Sequence, residues 1–411
     1  MKSLVLISFV LLSVANYSFT QTLEEYFQIA AENNPELKAK YKRAEAAMER
    51  IPQVSTLKDP SFSFGFFISP VETRVGPQRA KFSLTQMFPW FGTLKAQGDV
   101  AALNAEAEFQ KFIDAKNKLY FKVASAYYSL LELYQIEAIE EENKAILETF
   151  KTIANSKYEN GKGTMVDLLR VDIMVDDVKT NLSILDSKKK PLKIRFNKLL
   201  NRDQMDSIAI PSEVPSIEAQ SFGESDSDSL FAEHPLMEQL NLQIEASEAK
   251  VLAIKKQGLP KIGVGLDYVL VGERTDMDAP DNGKDVLMPM VTMSIPIFRK
   301  KYKAAEKEAN LMRESYQFQK EALDNQLTVQ YENAFFKIEQ QLDLIELYDH
   351  QIERTEQSIK LILTSYQNTG NDFEEVLRMQ QQLLKYQKLS VEALVKYHIA
   401  VEEIKYITSK K

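Results

Sequence analysis

The chain contains the same pattern twice, as YENGKGTMVDLLR at 158–170 and as YQNTGNDFEEVLR at 366–378. Each copy begins with a tyrosine, passes through a turn containing Gly and Asn, and ends with a hydrophobic pair followed by an arginine. The repetition continues outside this stretch, since Asn34-Pro35 returns as His234-Pro235. Equivalent positions lie about 200 residues apart at the prolines and about 208 apart at the tyrosines, which indicates one duplication with few insertions.

A long segment without proline leads into each copy, at 91–160 and 298–368. Apolar residues on both segments recur at steps of three and four, which is typical of a coiled-coil face. An unbroken helix of about 70 residues would be about 100 Å long. Each segment is followed by a turn and a returning helical segment, predicted at 164–200 and 372–409. The sequence therefore predicts two antiparallel helical hairpins.

Four segments alternate between apolar and small or polar residues, at 60–69, 79–89, 260–271 and 286–297. In the first of them Phe62, Phe64 and Phe66 alternate with serine and glycine. The lengths match the ~9–11 residues of a tilted membrane-spanning strand, and aromatic residues flank the segments. A small soluble sheet with one buried face would show the same alternation, so periodicity alone leaves both interpretations open.

The order of these elements divides the chain into a leader, two repeats and a linker. Lys2 and the apolar run from Leu4 to Val14 are typical of a cleaved secretory signal at 1–20. We expect a first repeat at 21–210, with its strand pair at 60–89, and a second repeat at 230–411, with its strand pair at 260–297. The segment 211–229 is rich in Ser, Glu and Asp and is interpreted as a linker.

Composition and motifs exclude several classes of function. The 411 residues include 51 Lys and Arg against 59 Asp and Glu, with no long basic run, so nucleic acid is not an expected partner. Without cysteine there is no disulfide. The three histidines are far apart, and no phosphate loop or nucleophile elbow is present, so we expect no enzyme and no cofactor. Met288, Met290 and Met293 are interpreted as strand packing, not as a metal site.

Two strands per repeat make four per chain, which are too few to close a membrane barrel with every backbone group satisfied. Either the sheet packs against protein, or several chains build one barrel together. A trimer would supply twelve strands, and its helical hairpins would close a tube below them.

With this architecture the sequence resembles the TolC family of outer-membrane efflux proteins, over essentially the whole mature chain. The resemblance rests on the order and duplication of features: the signal segment, Asn34-Pro35, Pro89-Trp90-Phe91-Gly92 after the second strand, and the turns that follow Tyr158 and Tyr366. It implies a mainly α fold with a small β part. Long antiparallel coiled-coil hairpins and four β-strands per chain would trimerise into a twelve-stranded outer-membrane β-barrel atop a periplasmic α-helical tunnel.

The resemblance implies a passive gated channel, the outer-membrane exit duct of a tripartite efflux or secretion pump. Its expected partners are two further copies of the chain, a periplasmic adaptor protein, an inner-membrane transporter and outer-membrane lipid. Its expected location is the bacterial outer membrane, with the tunnel in the periplasm. The alternative is a soluble periplasmic coiled-coil adaptor. An adaptor usually carries one hairpin, however, whereas here two equivalent hairpins each follow a strand pair.

In that family the helix tips close the periplasmic end of the tunnel, where a tyrosine and charged partners hold the helices together. By position, the resemblance assigns Tyr366 to the tyrosine, Asp167 to its acidic partner and Glu375 to a ring of acids at the aperture. Asp372 and Glu374 would add negative charge at the same mouth. The alternative for these two acids is that they are ordinary residues at a helix N-terminus, which face water and interact favourably with the helix dipole.

Two positions depart from the family pattern. Asn371 stands where a basic partner is expected, and Arg378 stands where a second ring acid is expected. We therefore expect the closure to be weaker, or to be held by contacts between other residues.

Overall fold

The computed structural model of the protein describes residues 22–217, 230–278, 280–369 and 373–410, with the backbone alone at 368 and 369. The predicted signal segment 1–20 and most of the predicted linker lie outside the described residues. Within the described ranges, no helix combines the length and the apolar character that a membrane crossing requires.

The elements of the chain are helices and strands with the following bounds: α1 Leu23–Asn33, α2 Pro35–Met48, α3 Arg50–Ser55, β1 Ser61–Thr73, β2 Gly76–Phe88, α4 Thr93–Glu159, α5 Met165–Leu199, α6 Pro235–Gln257, β3 Lys261–Val271, β4 Val286–Ser294, α7 Lys300–Thr369 and α8 Phe373–Thr408. The two long segments form continuous helices, α4 of 67 residues and α7 of 70 residues. The predicted mainly α chain with four strands is confirmed.

The four strands form one antiparallel sheet in the order β1-β2-β3-β4, so strands of both repeats join a single sheet. The register places Phe82 of β2 between Phe64 of β1 and Tyr268 of β3. These three aromatic rings pack in a row, with centroids 5.0 Å and 6.5 Å apart. Cross-strand aromatic contacts of this kind stabilise a sheet and hold its register.

One face of the sheet is apolar and exposed in the chain. Its members include Phe62, which is 66% exposed, and Val291, which is 76% exposed. The opposite face is more polar: glycine, serine, threonine and lysine stand there beside several methionines and Val269, and Asp267 is fully buried. An ion pair between Lys81 of β2 and Asp267 of β3 joins two strands on this polar face. The sheet is therefore apolar on the side that the chain leaves open and polar on the other.

The turn between β1 and β2 requires glycine at position 76. Gly76 has φ +130°, and a Cβ atom there would lie 1.8 Å from the carbonyl oxygen of Gly272. The Gly272 N–H donates to the Pro77 carbonyl at 2.7 Å. The hairpin turn is thereby fixed against the segment that follows β3.

The chain forms two compact units. One comprises Met1–Asn34, Tyr120–Gln220 and Lys337–Glu402, and the other comprises Pro35–Leu119, Ser221–Phe336 and Glu403–Lys411. The first unit is helical in its described part, whereas the second contains the sheet. Each unit draws segments from both predicted repeats.

Within the first unit, α4 and α5 are antiparallel neighbours. Lys151 of α4 pairs with Asp172 of α5 at 2.5 Å, and Glu137 pairs with Lys189 at 2.5 Å. Residue numbers thus fall along α4 as they rise along α5. On the other hairpin, Tyr348 of α7 stacks on Tyr386 of α8 with centroids 6.3 Å apart. The two antiparallel hairpins predicted from the sequence are observed.

Candidate functional site

The candidate site lies in the first unit, where the helices of both hairpins meet close to their turns. Tyr366 of α7 is fully buried there and stacks on Phe373 of α8, with ring centroids 4.5 Å apart and 27° between the planes. Phe150 of α4 and Val171 of α5 belong to the same buried cluster. All four long helices therefore contribute to one apolar core around Tyr366.

The Tyr366 hydroxyl is buried and, among the described residues, has no hydrogen-bond partner. Burial raises the pKa of this hydroxyl above its ordinary value, and the nearby charge of Asp167 raises it further. Lys157 lies over the ring, with Nζ 5.8 Å from the centroid, and donates a hydrogen bond to the Gln367 carbonyl at 2.6 Å. The hydroxyl thus stays protonated and is a donor without an acceptor in the described part of the chain.

Asp167 lies in the first turn of α5 and takes part in a capping box with Thr164. The Thr164 hydroxyl accepts from the Asp167 N–H at 3.2 Å, while the Asp167 carboxylate accepts from the Thr164 N–H at 3.1 Å. The same carboxylate oxygen accepts from the Thr164 hydroxyl at 2.8 Å. These bonds start the helix. Asp167 is thus near Tyr366 but bonded to its own helix.

Glu374 forms an ion pair that connects the two repeats. Arg170 of α5 contacts the Glu374 carboxylate of α8 at 2.8 Å, and both side chains are largely exposed. An exposed pair contributes at most about 1 kcal/mol. It nevertheless ties the turn region of one hairpin to that of the other, and sequence reasoning did not identify Arg170 as a site residue.

Glu375 pairs within its own helix instead. The Arg378 guanidinium donates to the Glu375 carboxylate at 2.9 Å through Nε, and the Glu375 carboxylate raises the pKa of Arg378. Each of the two described acids predicted for the aperture, Glu374 and Glu375, is therefore matched by an arginine. Asp372 and the neighbouring Asn371 lie outside the described residues.

Sequence reasoning also missed a buried polar group farther along the same helices. Glu140 of α4 is 1% exposed, pairs with Lys388 of α8, and accepts from the Asn181 side chain of α5 at 3.3 Å. Beside it, Gln380 donates to Asn143 at 3.0 Å. Removal of one member would leave an uncompensated buried charge or amide, which is costly. Charged residues are frequent along these helices, so no local signal separated this buried pair from solvated ones.

The geometry supports a mechanical role for this region. An aromatic core and an ion pair hold four helix ends together, and separation of the helices would break both. The predicted residues Tyr366, Asp167, Glu374 and Glu375 all lie in this region, but the predicted contact between Tyr366 and Asp167 is not a hydrogen bond here.

No protein-family model and no curated protein matches the sequence. Solved structures, in contrast, match nearly the whole chain. The outer-membrane channel OprN shares 16% identity, with 95% of this chain and 90% of that chain covered and a TM-score of 0.73. The outer membrane protein VceC from Vibrio cholerae shares 14%, with 94% and 95% covered and a TM-score of 0.73. The Campylobacter jejuni CmeC outer membrane channel shares 13%, with 94% and 85% covered and a TM-score of 0.73.

These structures share one architecture with the chain over almost its full length. At identities below 20% the likeness establishes the fold. The resemblance to the TolC family that the sequence suggested is thus confirmed at the level of the fold.

Proposed function

We propose, from the premise of this TolC-type channel fold, that the protein is the outer-membrane exit duct of a tripartite efflux or secretion pump. It would be a passive gated channel without enzymatic activity. A periplasmic adaptor protein and an inner-membrane transporter would supply cargo and energy. The observation that carries the proposal is the pair of opposite faces of the four-stranded sheet.

The two faces of the sheet have the properties expected of a barrel wall that separates lipid from water. Large apolar side chains such as Phe62, Phe66 and Val291 stand exposed on one face. A soluble protein rarely leaves so large an apolar surface open. Lys81 and Asp267 lie on the other face, where water or polar cargo would pass. Outward apolar and inward polar residues alternate in the same way in membrane barrels.

The edges of the sheet support a trimer. β1 and β4 are the two outer strands, and each has a neighbour on one side within the chain. In lipid the open backbone groups of an edge strand must be paired. Pairing β1 of one copy with β4 of the next would close a barrel, and three copies would give the twelve strands that the resemblance implies.

Closure at the periplasmic end would depend on the tips of the helices. In this proposal the core around Tyr366 and the pair Arg170–Glu374 hold the two hairpins of a chain together in the closed state. Opening would separate α5 from α8 and break that ion pair. Asp167, Glu375 and Asp372 remain proposed aperture residues.

The proposal is tested by placing a charge on each face of the same strand. Val291 belongs to the apolar face, and its neighbour Thr292 belongs to the polar face. Lysine on a lipid-facing position near the midplane costs about 2–4 kcal/mol, whereas a lumen-facing lysine does not meet lipid. Val291→Lys should therefore lower the fraction of protein that floats with liposomes, and the matched control Thr292→Lys should not.

The same preparation tests the channel. Mature wild-type protein in detergent should have the mass of a trimer and should give a small conductance in planar bilayers. Arg170→Ala removes the ion pair between the two hairpins and should raise the conductance, and Arg378→Ala, which removes a pair within α8 alone, is the control. A monomer that never inserts would refute the duct and leave the soluble adaptor as the explanation.

A further inference from the structure

A cavity of about 1220 Å³ lies at the end of the sheet where β2 and β4 end and β3 begins, within the second compact unit. Its walls come from α3, the end of α6 and the starts of α4 and α7. The strand residues that line it are Met87, Lys261 and Ser294. Lys261 and Ser294 are register partners, and Met87 is the partner of Gly263. These positions belong to the polar face, so the cavity opens on the side of the sheet that would face the conduit.

The cavity is lined by cations without acids. Its charged lining residues are Arg50, Lys58, Lys250, Lys261 and Lys301, and no Asp or Glu is among the lining residues described. Lys250 pairs with Glu308 at 2.9 Å. The other four have no ion pair within the described parts of the chain. Positive charges gathered in one concave site repel one another and attract an anion.

A buried hydroxyl is a second, independent indication of a ligand. Thr93 lines the cavity, is 2% exposed, and its Oγ1 has no hydrogen-bond partner among the described residues. Buried hydroxyls are normally satisfied, so an orphan at a cavity wall is an available contact for a bound molecule. Thr93 is also the first residue of α4, where the helix dipole favours negative charge.

The remaining wall is apolar. Val54, Leu94 and Ile254 line the cavity together with the ring of Tyr302. The volume is sufficient for a drug-sized molecule, since such sites typically enclose ~300–1,000 Å³. A ligand that matches this wall therefore has an apolar body and an anionic group.

We propose that this cavity binds an anionic amphiphile, an apolar molecule that bears a carboxylate, sulfonate or phosphate. The inference that exported anionic molecules bind at this site during their passage rests on the proposed function of the chain as a conduit. The same chemistry is offered by an exported solute and by an anionic membrane lipid, so the experiment includes an arm for each source.

The first arm uses cholate as the probe and the fluorescence of Trp90 as the readout. Trp90 is the single tryptophan of the chain and follows Pro89, which lines the cavity. Cholate is added below its critical micellar concentration to wild-type protein in nonionic detergent. The Trp90 emission should change as the cholate concentration rises and should reach a plateau. BIGCHAP carries the same steroid body on an uncharged sugar-amide chain and should bind at least about tenfold more weakly.

The matched variants test whether cholate binds through the cations that line the cavity or is attracted by positive charge elsewhere on the surface. The triple variant Arg50→Gln, Lys58→Gln and Lys261→Gln should weaken cholate binding about tenfold. It removes three partly exposed cations that can pair with the carboxylate of bound cholate. The control is Lys38→Gln with Arg43→Gln and Lys307→Gln. It removes three exposed cations of the same unit that do not line the cavity, and it should bind cholate as the wild type does. Equal binding of cholate and BIGCHAP, or equal loss in both triple variants, would overturn the proposal.

The second arm identifies the source. Anionic lipid that copurifies with the wild type, is released by cholate, and is absent from the cavity variant supports the site and identifies membrane lipid as its occupant. Cholate binding without such a lipid supports the site and assigns it to a solute. Trimers that conduct without binding cholate would overturn the cavity proposal and leave the duct standing. Cholate binding by protein that never conducts would refute the duct and keep the anion site.

Discussion

The turn regions 158–170 and 366–378 share one sequence pattern but occupy different environments. Tyr158 is 46% exposed and Met165, seven residues later, is 47% exposed. At the equivalent positions Tyr366 is fully buried and Phe373 is 3% exposed, and the two rings stack. Both copies therefore form a helical hairpin, but only the second copy places these two positions in the buried core. In the first copy the same positions are exposed to solvent.

The largest effect expected from this comparison is on folding stability. Tyr366→Ala removes a buried ring from the cluster that includes Phe373 and should lower the free energy of unfolding by about 3–5 kcal/mol. Tyr158→Ala should lower it by less than about 1 kcal/mol, because the ring is half exposed. Guanidinium unfolding followed by far-UV circular dichroism measures both. Equal losses would mean that the two turn regions do not differ in packing.

A second comparison concerns the residue before the shared proline, Asn34 in one repeat and His234 in the other. His234 is 1% exposed, its Nδ1 accepts from the Leu236 N–H at 3.2 Å, and burial lowers its pKa from 6.5 to about 4. Above pH 6.5 both the folded and unfolded states hold a neutral imidazole. As the pH falls from 6.5 towards 4, the unfolded state gains a proton that the folded state does not, so stability is lost.

His234→Asn copies the residue of the first repeat and removes this titration. Its side-chain oxygen can accept at the start of α6 in place of the His234 Nδ1. The free energy of unfolding of the wild type, relative to the variant, should therefore fall by about 2–3 kcal/mol between pH 7.5 and pH 4.5. Unfolding curves at both pH values measure the change. A difference between the two proteins that is the same at both pH values would contradict the assignment.

The two equivalent arginines should differ by a smaller amount. Arg170 joins α5 to α8 through Glu374, whereas Arg378 pairs with Glu375 on its own helix. Arg170→Ala should cost at most about 1 kcal/mol and should speed amide hydrogen exchange in the first turns of both α5 and α8. Arg378→Ala should affect α8 alone. Similar exchange in the two variants would mean that the pair Arg170–Glu374 does not hold the hairpins together.

The smallest effect is expected from the removal of one oxygen. The Tyr366 hydroxyl is buried without a partner among the described residues, so Tyr366→Phe should leave the stability unchanged or raise it by up to about 1 kcal/mol. Tyr158→Phe is the matched control in the exposed copy. A loss of more than about 1.5 kcal/mol in Tyr366→Phe would indicate a hydrogen bond from this hydroxyl, with Asp167 as the nearest candidate acceptor.

Much of the fold could be predicted because its signals are local. The returning helix predicted at 164–200 is observed as Met165–Leu199, and its start is marked by Thr164 and by Asp167 three residues later. The strand predicted at 260–271 is observed as Lys261–Val271, since apolar residues alternate with glycine or Asp267 from Ile262 to Tyr268. Glycines and prolines mark the turns between these elements, and turns of this kind depend on few residues.

The candidate site was predictable in part. The resemblance to the TolC family assigned Tyr366 and Asp167 by their positions at the duplicated turns, and the structure brings them close together. Arg170 was not recognised as the partner of Glu374, because an ion pair between residues about 200 apart depends on how two helices pack and leaves no local pattern. The cationic cavity was missed for the same reason, since its lining residues come from eight separate elements.

By itself the sequence determined two helical hairpins, two pairs of alternating strands, and their duplication, because hydrophobic periodicity and turn residues act over a few residues of chain. Only the tertiary structure decided which of the two equivalent tyrosines is buried. It alone decided that the apolar face of the sheet stays open and that cations without an ion pair among the described residues line the cavity at one end of the sheet. These properties depend on burial and on charge neighbours, which are set by segments far apart in the chain that packing brings together.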